Sequence, residues 1–352
     1  MTRVRCLILG ASGLVGQRLQ QRLVEHPMFE ICAVAGSEST AGKSLKSVPW
    51  RLSEPRPDLP ELTIIDANST ELTKKCSDLD IKYAFSGLPS TAALSIEKAL
   101  AESGVTVFSN ASAYRRSQGI PMVIPEINPH HLHSSMHYCA TNCTLIPLVI
   151  PVAAINKISD IKSITMRSEQ ALSGAGWELL YDQSALLGDV KPQIAGEAEK
   201  THAELLHVLG TIESQEITPA TLDVSISCQR IARRDGHQVF VEIETAVAVS
   251  HKTLINALKG IACYSNLPSG PINAIHIVDK IDPIAHLWSD GSNFSHNPDP
   301  ATNLKTGMGI VMGNILLSGT RISFSAYSHN TIRGAAGGLV FLAELVLEQS
   351  LT

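Results

Sequence analysis

The sequence has few aromatic residues, few charges and no long apolar run. Aromatic residues make up 5% of its 352 residues, charged residues make up 17%, and the formal net charge is −5. This balance, without a basic block, gives no electrostatic reason to bind nucleic acid or an anionic membrane surface. The longest apolar stretch, Leu145 to Ile155, is too short to span a bilayer. We therefore expect a small-molecule partner, and neither nucleic-acid nor membrane binding.

Cysteine is present, but its spacing suggests neither disulfides nor zinc. The seven cysteines include no C-x-x-C pair, which predicts no metal site and a reducing, cytoplasmic location. Cys139 could form a disulfide with Cys143, although an inert thiol is the more common case. A histidine-rich segment without accompanying acidic ligands is interpreted as a solvated loop rather than a metal site. It contains His130, His131, His133 and His137.

A glycine-rich turn near the start of the chain follows one predicted strand and precedes a helix. Val4 to Leu9 is aliphatic, as a buried parallel strand is. A helix is predicted over Gln17 to Glu25 and a second strand over Phe29 to Ala35. In a dinucleotide-binding βαβ unit, such glycines let the backbone approach the pyrophosphate at a helix N-terminus; the alternative is a tight turn without a ligand. The predicted nucleotide contacts are Gly10, Ser12, Gly13, Leu14 and Val15.

The residues after the second strand bear on which dinucleotide fits. An acidic residue there would bond the ribose hydroxyls of NAD, and Glu38 is available for this. Ser37, Ser39, Thr40 and Lys43 instead supply hydroxyls and a cation that suit a 2′-phosphate. The segment therefore favours NADP, with NAD as the alternative.

The predicted elements indicate an α/β protein with two domains. In the first half, strands alternate with helices, as in a doubly wound parallel sheet. After about residue 150 the strands alternate only partially, as in a mixed sheet. We expect a Rossmann domain over 1–148, a catalytic domain over 149–330, and a last helix, 331–350, that packs back on the first domain. The other predicted strands are Leu62 to Ile65, Tyr83 to Ser86, Val105 to Phe108, Ile161 to Arg167, Thr221 to Arg230 and Val239 to Val249, and the other helices are Ser90 to Ser103, Gly196 to Leu209, Thr253 to Ala262 and Arg333 to Glu348.

Cys143 is the strongest candidate nucleophile. It stands where an apolar helix pattern begins, and the dipole and free N–H groups of a helix N-terminus favour a thiolate. His237 would be its acid/base partner if the two residues fold side by side. A buried structural thiol is the more common alternative. Pro147 is expected to kink the first turns of the helix.

Three further segments suit a small charged substrate. The small residues from Gln170 to Gly176 would let a ligand lie close to the backbone, and Trp177 beyond them suits either a nicotinamide pocket or the core. Glu197 and Lys200 share one helix face, with a surface ion pair as the alternative. Arg230, at a strand end, could bind a carboxylate through two hydrogen bonds, with a solvated surface charge as the alternative.

Together these segments resemble the aspartate-semialdehyde dehydrogenase family, in its archaeal and fungal branch. The resemblance covers nearly the whole chain in the expected order. It implies a Rossmann domain followed by an α+β catalytic and dimerisation domain similar to that of glyceraldehyde-3-phosphate dehydrogenase. It also implies a homodimer or homotetramer formed through the sheet of the second domain. The matching segments are 10–16, 109–115, 125–128, 142–144, 170–176, 197–200, 230–237 and 330–334.

The resemblance also implies a reaction and a role for each matching residue. The reaction is the reversible, NADP-dependent reductive dephosphorylation of 4-phospho-L-aspartate to L-aspartate 4-semialdehyde through a cysteine thioester, in the biosynthesis of lysine, threonine, methionine and isoleucine. The alternatives are a malonyl-CoA-type acyl-CoA reductase on the same scaffold and a non-catalytic nucleotide-binding homologue. The implied catalytic residues are Cys143, His237 and Gln170. The implied substrate contacts are Arg230, Glu197, Lys200, Arg115 and Asn110, and Asn330 would bind the nicotinamide beside Ser173 and Gly174.

Two positions depart from the family pattern. Thr141 stands where family members usually have a proline before the Asn-Cys pair, which predicts a looser turn at the nucleophile. Ser39 stands where the archaeal branch often has an arginine that faces the 2′-phosphate. Neither departure removes a catalytic group.

Overall fold

Two six-stranded sheets organise the chain in the computed structural model, which describes residues 2–214 and 216–351. The first sheet has the order β3-β2-β1-β4-β5-β6, and all its paired strands are parallel. Its strands are β1 (Val4–Leu9), β2 (Phe29–Gly36), β3 (Ile65–Asp66), β4 (Tyr83–Ser86), β5 (Thr106–Ser109) and β6 (His137–Cys139), and the helices between them are α1 (Leu14–Leu23), α2 (Glu71–Asp78) and α3 (Ser90–Glu102). This is the doubly wound Rossmann topology expected from the sequence.

The second sheet is mixed, as the partial alternation predicted. Its order is β10-β7-β11-β14-β13-β12; the outer pairs are parallel and the inner pairs are antiparallel. Its strands are β7 (Ile161–Gln170), β10 (Asp223–Arg230), β11 (His237–Thr245), β12 (Ile275–Ile277), β13 (Ile310–Ser318) and β14 (Arg321–Ser328). A separate hairpin is formed by β8 (Thr211–Glu213) and β9 (Glu216–Thr218). The remaining helices are α4 (Leu145–Asn156), α5 (Trp177–Leu180), α6 (Gln183–Leu186), α7 (Glu197–Val208), α8 (His251–Lys259) and α9 (Gly337–Leu351).

Helix α4 is apolar on every side because it lies in the core. Its residues from Leu145 to Ile155 are all buried, which accounts for the absence of an amphipathic pattern. The expected kink at Pro147 is wrong. Pro147 occupies the first turn, where a backbone N–H has no intrahelical acceptor, so no hydrogen bond is lost there. Pro151 is the proline inside the helix.

Several predicted boundaries move for local reasons. Helix α1 begins at Leu14, three residues earlier than predicted, because the glycine turn leads straight into it. The strand predicted over Leu62 to Ile65 is limited to Ile65–Asp66. The last helix is preceded by a π-helical turn, Ile332–Ala336. Residues of α9 share one hydrophobic core with residues of β1, β4 and β5.

The histidine-rich segment is not the solvated loop expected from its sequence. His131 and His137 are buried, while His130 is exposed. The ring nitrogens of His131 form hydrogen bonds with Asn128 and with the backbone carbonyl of Gly210, so both polar atoms of the buried ring have partners. No trio of His, Cys, Asp or Glu in residues 2–214 and 216–351 is arranged to hold a metal ion. Over the same residues, every helix is too short or too polar to cross a membrane.

Candidate active site

Cys143 lies in the loop between β6 and α4, and Asn142 fixes this loop. The Oδ1 atom of Asn142 accepts a hydrogen bond from the backbone N–H of Thr144 at 2.7 Å. Its Nδ2 donates to Glu197 at 2.9 Å, and its backbone N–H donates to Glu204 at 2.5 Å. Three hydrogen bonds therefore hold the turn at which the family pattern has a proline.

Glu197 is turned towards the loop between β6 and α4, which we call the nucleophile loop, rather than towards solvent. Its Oε1 accepts hydrogen bonds from the side chains of Asn142 and Gln170, at 2.9 and 3.0 Å, and from Thr144 at 3.4 Å. Its hydrogen bonds in the described chain all use Oε1, which leaves Oε2 available to a ligand. The surface ion pair with Lys200 is therefore wrong. Lys200 is exposed, and no hydrogen bond or ion pair within residues 2–214 and 216–351 joins it to another candidate residue.

Arg115 and Asn110 form a donor-rich corner on the other side of the loop. The Nη2 of Arg115 donates to the backbone carbonyl of Asn110 at 2.8 Å, and Nη1 forms an ion pair with Glu204 at 2.9 Å. The Nε of Arg115 and the Nδ2 of Asn110 are buried without a partner in the described part of the chain. Unpaired buried donors are costly, so this corner suits an anionic ligand.

Arg230 and His237 meet at the segment that follows β7. The Nη1 of Arg230 donates to the carbonyl of Ala171 at 2.7 Å, and the backbone N–H of Ala171 donates to Nδ1 of His237 at 3.1 Å. Because Nδ1 is an acceptor, the proton of the neutral ring lies on Nε2. This Nε2 is buried and has no partner among the described residues. A Cβ at Gly174 would lie 2.9 Å from Arg230 and 3.1 Å from His237, so a side chain there would press on both groups.

Asn330 lies beside Ser173, as expected, but both polar atoms of its side-chain amide already have hydrogen-bond partners. Its Nδ2 donates to the Ser173 hydroxyl at 2.9 Å, and its Oδ1 accepts from the backbone N–H of Gly236 at 2.7 Å. Asn330 thus joins the segment before His237 to the segment after β7. Gly334, four residues further, packs directly on the nucleophile, since a Cβ there would lie 2.6 Å from that of Cys143.

The surroundings of Cys143 disfavour the thiolate that the sequence predicts, because they raise the pKa of its thiol. Burial, followed by the charge of Glu197, raises the pKa of Cys143 to about 12, although Arg115 and Arg230 oppose this shift. Burial, followed by Arg230, lowers the pKa of His237 to about 3. Helix α4 begins at Leu145, two residues after the cysteine. Desolvation therefore outweighs the helix N-terminus, and at neutral pH the site holds a thiol and a neutral imidazole.

The pH dependence of alkylation should show the raised pKa of the Cys143 thiol. We expect the rate at which iodoacetamide modifies Cys143 to rise about tenfold per pH unit from pH 7 to 9 without a plateau, because only the thiolate reacts. Peptide mass spectrometry would follow the site, with the partly exposed Cys263 as an internal comparison. A plateau for Cys143 below pH 8 would contradict the raised pKa.

The glycine turn fits a dinucleotide. Gly10 has a φ of +76°, and a Cβ at Gly16 would lie 2.0 Å from the carbonyl oxygen of Gly10, so the cradle depends on these glycines. At Leu14 the first turn of α1 has neither a side-chain cap nor an acidic residue. Its N–H groups are therefore open to a pyrophosphate. Trp177 donates from its indole to the carbonyl of Ser12 at 3.1 Å, which places it beside this turn.

The residues expected near the ribose form one exposed turn after β2. The hydroxyls of Ser37 and Ser39 are 2.9 Å apart, and Thr40 donates to the carbonyl of Ser37. Lys43 donates to the carbonyl of Ser39 at 2.8 Å. Hydroxyls and a cation thus share one turn, next to the exposed Glu38.

Sequence reasoning missed Glu204, which is buried between Arg115 and the nucleophile loop. A signal was present, because Glu204 is seven residues after Glu197 and so lies on the same helix face. Gly334 was included in a matching segment but not given a role. Nothing in the sequence indicates that its missing side chain faces Cys143.

Comparisons with known proteins agree with this arrangement. The family model described as "Semialdehyde dehydrogenase, NAD binding domain" matches residues 5–135. The aspartate-semialdehyde dehydrogenase of Archaeoglobus fulgidus is 35% identical, with 98% of each chain covered. That of Saccharomyces cerevisiae is 31% identical, again with 98% of each chain covered.

Solved structures show the same fold. A crystal structure of aspartate-semialdehyde dehydrogenase with NADP from Candida albicans matches all of this chain with a TM-score of 0.80 and 27% identity. A second, from Vibrio cholerae, described as aspartate-semialdehyde dehydrogenase II, has a TM-score of 0.74 at 19% identity over 99% of each chain. The fold expected from the sequence is therefore confirmed. The full-length archaeal and fungal relatives, together with the arrangement around Cys143, show that this chain belongs to the aspartate-semialdehyde dehydrogenase family.

Proposed function

We propose that this chain catalyses the reversible, NADP-dependent reductive dephosphorylation of 4-phospho-L-aspartate to L-aspartate 4-semialdehyde. The observation that carries the proposal is the position of Glu197, a carboxylate facing the nucleophile loop with Oε2 unused. A binding site for an amino group needs such an acceptor. The names of the relatives support the same activity.

The charges of the site match those of the substrate. Arg230 suits the α-carboxylate, because its guanidinium lies near both Cys143 and His237. Arg115 and Asn110 keep unpaired donors for the phosphate. Lys200 would reach the phosphate only from an exposed position, so its role rests on the family resemblance. An acyl-CoA reductase or a non-catalytic protein has no need for the amine site at Glu197.

The residues of the chain account for the covalent steps. The sulfur of Cys143 attacks the acyl carbon of the acyl phosphate, the thiol proton passes to the departing phosphate, the C–O bond to phosphate breaks, and a thioester forms. The Nε2–H of His237 donates to the carbonyl oxygen, where negative charge develops. Gln170, held by Glu197, orients the substrate. When bound, NADPH supplies the hydride that reduces the thioester. The C–S bond then breaks, the aldehyde leaves, and Cys143 regains its proton.

The cofactor would be held at two places, the glycine turn before α1 and the exposed turn after β2. The open N–H groups at the start of α1 suit the pyrophosphate, and the exposed turn from Ser37 to Lys43 suits the 2′-phosphate. The NADP complex of the Candida albicans enzyme supports the choice of NADP over NAD. Ser173 and Gly174 would lie against the nicotinamide, with Asn330 holding this segment in place.

Assembly and location are also proposed. The outer face of the second sheet carries Phe240, covered by the guanidinium of Arg167 at 4.2 Å, and an exposed Leu316. This face suits a homodimer or homotetramer, which light scattering would detect. A cytoplasmic location agrees with seven free cysteines.

A direct comparison of substrates tests the activity. We expect the chain to reduce NADP in the presence of aspartate semialdehyde and inorganic phosphate, with NAD a poorer acceptor. Malonyl-CoA with NADPH should give little turnover. Failure on the first pair with success on the second would overturn the proposal in favour of an acyl-CoA reductase. Nucleotide binding without turnover of either would favour a non-catalytic homologue.

A further inference from the structure

Glu204 is a buried carboxylate that joins Arg115 to the loop that carries Cys143. It lies on α7, two helical turns after Glu197, and is 2% exposed. Its Oε1 accepts from Nη1 of Arg115 at 2.9 Å, and its Oε2 accepts from the backbone N–H of Asn142 at 2.5 Å. One carboxylate oxygen therefore binds Arg115, and the other binds the nucleophile loop.

Two hydrogen-bond partners limit the freedom of the Arg115 guanidinium. With Nη1 bound to Glu204 and Nη2 bound to the carbonyl of Asn110, the plane of Arg115 is fixed. Its Nε remains buried and unpartnered. Although burial lowers the pKa of Arg115, the carboxylate of Glu204 raises it above its ordinary value, so the cation persists.

The same carboxylate holds the residue next to the nucleophile. Asn142 immediately precedes Cys143, so one side chain, Glu204, binds both the phosphate-binding donor Arg115 and the residue before the sulfur. We infer that Glu204 is a positioning residue that sets the phosphate subsite relative to the nucleophile by holding Arg115 and the Asn142 backbone together. This inference rests on the proposed function, because it assigns the anion at Arg115 as phosphate.

Kinetics in the oxidative direction test the inference. With aspartate semialdehyde and NADP fixed and inorganic phosphate varied, Glu204→Gln should raise the KM for phosphate at least about tenfold, since a charge-assisted tie is lost. The KM for NADP should stay within about twofold. Glu199→Gln, on the exposed face of the same helix, is the matched control and should resemble the wild type. An unchanged KM for phosphate with a lower kcat would indicate a merely structural role and overturn the inference.

A double-mutant cycle separates positioning from general damage. In an Arg115→Gln background, Glu204→Gln should change the KM for phosphate by less than about threefold, because the residue acts through Arg115. The full tenfold rise in that background would overturn the inference. If Glu204→Gln does not fold, Glu204→Asp decides, since its shorter side chain cannot keep both ties. A wild-type KM for phosphate in Glu204→Asp would count against the inference.

Calorimetry with inorganic phosphate keeps the two proposals distinct. If the wild type binds phosphate but does not turn over aspartate semialdehyde, the proposed function fails. The inference about Glu204 is then judged on the Kd for phosphate, which should rise in Glu204→Gln and not in Glu199→Gln.

Discussion

Replacing Cys143 by alanine should abolish turnover of aspartate semialdehyde with phosphate, with a loss in kcat of at least about 10⁴-fold. The sulfur is the atom that we propose forms the covalent bond, and no described residue offers a second nucleophile at the same place. Cys139, four residues earlier, is fully buried, and burial raises the pKa of its thiol. Initial rates of NADP reduction would measure the loss.

The same variant should bind NADP normally. Its mutated side chain lies on the loop before α4, whereas the nucleotide is expected at the turn before α1. NADP titration should therefore give a Kd within about twofold of the wild type, because the contacts proposed for the pyrophosphate and the 2′-phosphate lie outside that loop. Cys263→Ser, at a sulfur that donates to the carbonyl of Ile272, is the matched control and should keep full activity. Residual turnover above a few per cent in Cys143→Ala would show that another group does the chemistry.

The fold could be predicted well where the pattern is local. Strands β1 and β4 have the bounds that the sequence predicted, because buried parallel strands form short continuous apolar runs. Strand β3 was placed too early because it has only two residues, Ile65 and Asp66, and its pairing with β2 is a tertiary property. The π-helical turn before α9 likewise has no local signature.

The site could be assembled from the sequence only as a set of residue types. The resemblance brought Cys143, His237 and Glu197 into one proposal, but it could not supply their ionisation. The expected thiolate rested on the helix N-terminus alone, whereas burial of the sulfur dominates its pKa. Desolvation depends on every element that covers the site, so no sequence window reports it. Glu204 escaped notice for a similar reason, since its partners are distant in sequence.

His237→Asn should lower kcat by about 10²- to 10⁴-fold with a smaller effect on the KM for aspartate semialdehyde. An asparagine oxygen can replace Nδ1 as the acceptor for Ala171, so the local structure should be kept. The donor at Nε2 is lost, and with it the group that faces the developing oxyanion. Steady-state rates in both directions, with NADP affinity as the fold control, would measure this.

The pH dependence of wild-type activity should also show that His237 acts as a neutral donor. Because the pKa of His237 is lowered to about 3 by burial, followed by Arg230, the ring is neutral and keeps its Nε2 proton throughout pH 6 to 8. Protonation of this ring begins only far below the ordinary pKa of histidine, about 6.5. The activity of the free enzyme should therefore show no fall on the acid side attributable to a group near pH 6.5. Such a fall, present in the wild type and absent in His237→Asn, would mean that the imidazole titrates in the ordinary range. His237 would then act as a conventional general base rather than as a neutral donor.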